Sequence, residues 1–265
     1  MRLRLSGLLL GLVLLTAPAA AQPPVGLPTR AANSDEALVT DRRVQHRTYV
    51  FDAASGLKLP YALFVPTTYD RTKPTPLLVT LHGLNRTHDW LMGYEGMLDL
   101  AQQHGFIVVT PLGYVRDSWY GSRANTPTGP AGEADVMKVY ELVKAEFNID
   151  PKRTYLWGHS MGGAGTYHIA ARRPEIWAGL AVAAPAPSID PALGLPPIKH
   201  LPILVLQGDQ DPLVTTTRRW VAEMQKLGMQ HVYIEKKGGE HTPFIANDRQ
   251  MLQKVFDFFE IVRKE

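Results

Sequence analysis

The chain has 265 residues, 45% of them hydrophobic and 20% charged, with a formal net charge of +3 and no cysteine. This is the composition of an ordinary globular protein, and it excludes a body that is disordered or embedded in a membrane. Without thiols it has neither disulfides nor thiolate-bound zinc, and its basic pairs, Arg42-Arg43, Arg172-Arg173 and Arg218-Arg219, are too scattered to form a nucleic-acid footprint.

In chain order, Arg2 and Arg4 lead into the apolar run Leu5 to Leu15 and then into small residues ending at Ala21. This reads as a secretory signal over residues 1–21, cleaved after Ala21. The run is shorter than the roughly 20 residues a spanning helix needs, so the expected mature protein is secreted or periplasmic and has no stable membrane anchor. Losing two arginines also leaves it nearly neutral. Residues 22–40 are rich in Pro and Ala without periodicity and predict a loosely ordered lead-in, with a single folded domain over residues 41–265.

Within that domain, Arg47 to Phe51 and Leu59 to Val65 read as a hairpin around Ala54-Ser55-Gly56, and Leu77 to Leu81 as a buried strand. Helix and strand patterns then alternate. Helices are predicted at Met97 to His104, Ala134 to Phe147, Gly162 to Arg173, Thr217 to Leu227 and Asn247 to Val262. Strands are predicted at Phe106 to Thr110, Thr154 to Trp157, Leu180 to Ala184, Ile203 to Leu206 and Val232 to Glu235. Such alternation predicts an α/β class: a mostly parallel sheet with an antiparallel N-terminal hairpin and helices on both faces.

Gly158-His159-Ser160-Met161-Gly162 has the G-x-S-x-G spacing and falls between a predicted strand and a predicted helix, where a strained turn holds a serine hydroxyl exposed. Serine is scarcely ionised at neutral pH, so it needs a base, and the base needs an orienting carboxylate. With Ser160 as nucleophile, the acid is expected in Gln207-Gly208-Asp209-Gln210-Asp211-Pro212. Asp211 is preferred because it has enough loop to turn back over the sheet, whereas Asp209 suits a turn former. The base is expected to be His241, the histidine of the loop after the last strand. His168 falls inside a predicted helix and reads as packing.

The loop His82-Gly83-Leu84-Asn85 is expected to supply the N–H of Leu84 to an oxyanion, with the N–H of Met161 as the second donor. The segment Leu112 to Gly132 carries Tyr114, Trp119 and Tyr120, which are the expected pocket walls; His88 and Trp90 are further rim candidates. Between Pro185 and Pro202 there is room for a short loop but not for a folded lid or large cap domain. No metal site and no cofactor are evident.

The stretches Pro76 to Gly83, Phe106 to Gly113, Glu133 to Gly165, Gly208 to Val214 and Gly238 to His241 together resemble secreted bacterial serine esterases of the α/β-hydrolase superfamily. The resemblance is to the polyhydroxybutyrate-depolymerase-like, feruloyl and acetylxylan esterases. It implies hydrolysis of carboxylic esters, small or polymer-linked, through an acyl-enzyme and without cofactor. Two departures stand out: Gln207 where those proteins often carry His, and His-Gly-Leu where some have a longer His-Gly-Gly-Gly loop. Two other readings use the same fold, a peptidase or amidase of the prolyl-oligopeptidase type and a non-catalytic binding module. Comparing an activated ester with the matching anilide separates the first. Loss of a triad member would favour the second, and none is lost.

Overall fold

The computed structural model describes residues 37–265; the expected signal, residues 1–21, and residues 22–36 of the expected lead-in lie outside them. Residues 37–40 carry neither helix nor strand, and the N–H of Val39 donates to the Asp89 carboxylate at 2.6 Å.

Eight strands form one sheet: β1 (Gln45–Asp52), β2 (Leu57–Phe64), β3 (Thr75–Leu81), β4 (Ile107–Pro111), β5 (Ile149–His159), β6 (Gly179–Ala183), β7 (Ile203–Gly208) and β8 (His231–Lys236). Their spatial order is β1-β2-β4-β3-β5-β6-β7-β8. β1 with β2 and β2 with β4 pair antiparallel, and all later pairs are parallel. The hairpin turns at Gly56, whose φ of 71° suits a residue without Cβ.

Strands β3, β4, β6 and β7 are buried along their whole length, which is why they read as continuous apolar runs and not as alternating ones. Period-two geometry still divides their side chains between two cores. Leu77, Val79, Leu81, Val182 and Val205 meet α2 (Gly129–Glu146), α3 (Met161–Arg172) and α4 (Val214–Lys226). Leu78, Val108, Trp157, Ala183 and Leu206 meet α1 (Met97–His104) and α5 (Arg249–Ile261). Phe256 and Phe259 of α5 are completely buried, and burial of each contributes roughly 2–3 kcal/mol.

Several boundaries differ from expectation. Helix α2 starts at Gly129, with Pro130 in its first turn, so the preceding loop ends at residue 128 and not at Gly132. The closing helix α5 starts at Arg249, two residues after the expected Asn247, because Asp248 takes an extended conformation and its side chain accepts from Met251 N–H to cap it; a separate turn, Pro243–Ala246, precedes it. Strand β5 begins at Ile149, where the chain bridges back to Thr75. Between β6 and β7 the chain forms only two short turns, Pro191–Gly194 and Pro196–Ile198.

Candidate active site

The loops that follow β5, β7 and β8 leave the same edge of the parallel sheet, the edge where ligands bind in such sheets. Ser160 follows β5 immediately with φ 57° and ψ −115°, a conformation that costs a non-glycine residue about 1–3 kcal/mol. Its neighbours over-determine it. Ser160 N–H donates to Ala183 C=O at 2.9 Å, and Ser160 C=O accepts from Ala186 N–H at 3.1 Å. A Cβ on Gly158 would lie 2.0 Å from Gly162 C=O, so both glycines of the turn are sterically required. Gly163 and Gly165 let the helix approach Pro185 and the Tyr120 ring, where a Cβ would stand 2.9 and 2.7 Å away.

Ser160, Asp211 and His241 are brought together. His241 Nδ1 lies 2.7 Å from Asp211 Oδ2, and His241 Nε2 lies 2.9 Å from Ser160 Oγ. An ionised carboxylate only accepts, so Nδ1 carries the ring proton and Nε2 is left to accept from the serine hydroxyl. The Asp211 carboxylate is fully buried, while the His241 ring is 38% exposed. Burial pushes the Asp211 carboxyl up, but the bonds from His241 and from Leu213 N–H (2.8 Å) outweigh it and hold it below its usual value. Asp209 instead accepts from Gly238 N–H at 2.7 Å and from Gln210, as a turn former does.

Gln207 also acts on Asp211. Its amide helps hold the Asp211 carboxyl low, its Nε2 donates to Gly208 C=O at 3.1 Å, and its Oε1 accepts from Thr217 Oγ1 at 2.7 Å inside the core. A neutral amide therefore stands behind the carboxylate.

Met161 follows Ser160 in the chain, and Leu84 lies in the turn after β3. Met161 is the first residue of α3, so its N–H has no acceptor within the helix. Leu84 is exposed in the turn after β3. That turn is tied to the next loop: Asn85 N–H donates to Arg116 C=O at 2.9 Å, and His82 Nε2 lies 2.7 Å from Leu112 C=O. Trp90 packs its ring against Gly83 on the other side.

The expected aromatic walls are placed differently. Tyr120 is fully buried, wedged between Gly113 and Gly165 with its hydroxyl directed at His82 C=O, so it offers no surface to a ligand. Trp119 is buried under the Arg123 guanidinium, 3.2 Å from its ring centre. Tyr114 turns to the sheet edge, its ring 5.4 Å from that of Phe51. All three have positive φ, which folds the loop back on the body. Their aromatic rings anchor it, the ordinary role of large side chains in a long loop. His88 is buried and burial holds its imidazole down to about 4, and His168 bonds Glu133 at 3.1 Å.

One residue of the site carried no expectation. His159, between Gly158 and Ser160, is completely buried among Trp90, Tyr94, Phe244 and His241. Its position inside the serine motif was the only available signal.

A family model described as "Putative esterase" matches residues 53–242. A bifunctional acetylxylan esterase/xylanase of Neocallimastix patriciarum is 36% identical over 94 residues, which is 36% of this chain and 13% of that one. The S-formylglutathione hydrolase of Rattus norvegicus is 30% identical over 147 residues, 48% of this chain and 52% of the other. The aligned part thus spans about half or less of each of these relatives. A solved thermostable esterase superposes with a TM-score of 0.65 at 22% identity, over 84% of this chain and 64% of that one, a likeness of α/β-hydrolase fold.

Proposed function

The chain belongs to the esterase family, and from that premise we propose that it hydrolyses carboxylic esters through an acyl-enzyme formed on Ser160. The observation that carries this reading is the unbroken series Ser160 Oγ, His241 Nε2, His241 Nδ1, Asp211 Oδ2, with contacts of 2.9 and 2.7 Å. His241 takes the serine proton as Oγ attacks the ester carbonyl, then gives it to the departing alcohol. Asp211 stays ionised throughout, fixes the tautomer and stabilises the imidazolium. Water repeats the cycle on the acyl-enzyme.

The negative charge that develops on the carbonyl oxygen is assigned to the N–H groups of Leu84 and Met161. One such donor stabilises the transition state by roughly 3 kcal/mol. Small acyl groups suit the site best: only two short turns lie between β6 and β7, and the base is more than a third exposed. An open rim also suits an ester carried on a polymer, as the name of the Neocallimastix relative describes for that protein. Export, on the reading of residues 1–21 as a signal, would bring the enzyme to such substrates.

The test is direct. A fluorophosphonate should label Ser160 stoichiometrically, and Ser160→Ala should lower kcat on p-nitrophenyl acetate by at least about 10³-fold with an unchanged circular dichroism spectrum. Labelling at another residue, or near-normal turnover by the variant, overturns the assignment.

A further inference from the structure

The loop that carries His241 is neither helix nor strand from residue 237 to residue 242. A base that must stay within 2.9 Å of Ser160 Oγ therefore needs something other than a backbone ladder to hold its peptide. His159 supplies such a contact, since its Nε2 lies 2.9 Å from the backbone carbonyl of His241. Its other nitrogen, Nδ1, lies 2.5 Å from the Tyr94 hydroxyl.

The proton positions follow from the partners. A carbonyl oxygen accepts and never donates, so Nε2 of His159 bears the hydrogen. In the neutral ring Nδ1 is then a lone pair, and the Tyr94 hydroxyl donates to it. We propose that His159 is a positioning residue for the base: a neutral imidazole, locked in its Nε2–H tautomer by Tyr94, that pins the backbone of His241 within reach of Ser160. The proposal rests on the reading of Ser160, Asp211 and His241 as the triad, and adds to it the means by which the third member is held.

Two further observations fit this role. Packing alone does not require a histidine, because the box formed by Trp90, Tyr94 and Phe244 is aromatic and a phenylalanine would fill it without desolvating two ring nitrogens. The ring must also be neutral, since its centre is 5.2 Å from that of His241, which becomes a cation in the transition state. Burial, reinforced by the neighbouring His241, pushes the His159 imidazole down to about 3, so no working pH charges it. One element thereby connects the nucleophile and its base. The residue before Ser160 is bonded to the residue that deprotonates it, so the strand end and the last catalytic loop cannot drift apart independently.

The experiment compares His159→Phe, His159→Gln and Tyr94→Phe with the wild type. His159→Phe keeps the aromatic volume and loses both bonds. A misplacement of the base on the order of 1 Å lowers kcat about 10²-fold, while KM for p-nitrophenyl acetate should stay within about threefold because substrate contacts are untouched. His159→Gln, whose amide N–H can reach the same carbonyl, should recover most of that loss; a merely structural role would not select for the donor. In the wild type, long-range ¹⁵N–¹H spectra of the histidine rings should show His159 with a protonated Nε2 and an unprotonated Nδ1 at neutral pH.

If His159→Phe does not fold, Tyr94→Phe and the tautomer decide, because removing one hydroxyl should still lower kcat several-fold. Wild-type kcat in His159→Phe or in Tyr94→Phe, or an Nδ1–H tautomer or imidazolium at neutral pH, overturns the proposal. Failure of the underlying reading looks different: a wild-type protein that is not labelled at Ser160, or that does not hydrolyse esters.

Discussion

A Cβ on Gly162 would stand 2.0 Å from the carbonyl oxygen of Leu81, the last residue of β3. The first turn of α3 therefore lies directly against the strand end that leads into His82, Gly83 and Leu84. The same contact sets the spacing between the two proposed oxyanion donors, one on each side of it. Glycine at 162 is required by close backbone approach, since the positive-φ residue of this turn is Ser160.

Gly162→Ala should consequently destabilise the fold by more than about 3 kcal/mol, because a backbone carbonyl cannot rotate out of the way as a side chain does. Gly228→Ala is the control. Its φ of 64° makes the substitution strained, but no atom lies within 4 Å, so the cost should be about 1 kcal/mol. Urea midpoints of the two variants measure the contrast, and equal losses would contradict it.

The two aspartates after β7 should separate sharply in kinetics. Asp211→Asn leaves His241 Nδ1 facing an amide that can present its own N–H, which disturbs the tautomer the serine needs; kcat should fall by at least about 10³-fold. Asp209→Asn keeps an acceptor for Gly238 N–H and should change kcat less than about fivefold. The reverse order would move the acid to Asp209.

A buried carboxyl outside the proposed triad gives a pH prediction. Burial raises Asp135 from 3.8 to about 6 despite the Tyr49 hydroxyl at 2.5 Å and the Tyr114 N–H at 2.8 Å. Between about pH 4 and 6 the folded chain keeps a proton there that the unfolded chain has released, so this group's contribution to stability falls as pH rises through that window. The gap of about two pK units corresponds to about 3 kcal/mol. Carboxyls held low, such as Asp211 and Glu235, have the opposite slope, and they are common to the wild type and Asp135→Asn. Subtracting the two stability profiles isolates the Asp135 term. A difference that does not change between pH 4 and 7 would show that the carboxyl titrates normally.

Acyl length tests the openness of the site. Acetyl to butyryl p-nitrophenyl esters should show much higher kcat/KM than esters beyond about ten carbons, where a buried pocket would add about 0.8 kcal/mol of binding per methylene. The segment between β6 and β7 leaves Leu193 largely exposed and forms no helix long enough to shield a chain. Rising activity with length, or activation at an oil interface, would point to a lid.

Much of the site can be read from the sequence because its signals are local. A glycine-serine turn after an apolar strand, an aspartate at a strand end and a histidine in a glycine-rich loop each declare themselves within ten residues. The spatial order β4-β3-β5 does not, since pairing depends on crossovers that leave no local mark. The place of the loop aromatics is hidden for a related reason. Tyr120 is a large polar-tipped residue in a Gly- and Pro-rich segment, and only the cavity left by Gly113 and Gly165, 52 residues apart in sequence, turns it inward. His159 has no local signature because its partners, Tyr94 and His241, lie 65 residues before it and 82 after it.

Those separations also set an order in time. Synthesis delivers the chain from its N-terminus, and β5 with its strained serine emerges long before the imidazole, 81 residues later. A ribosome-bound chain that has emerged only through α4 holds the proposed nucleophile and acid but no base. On the proposed triad, the power to cleave esters is absent from every such intermediate and arrives only when the loop after β8 brings in His241, so the cell that makes this protein is shielded from its chemistry until late in folding.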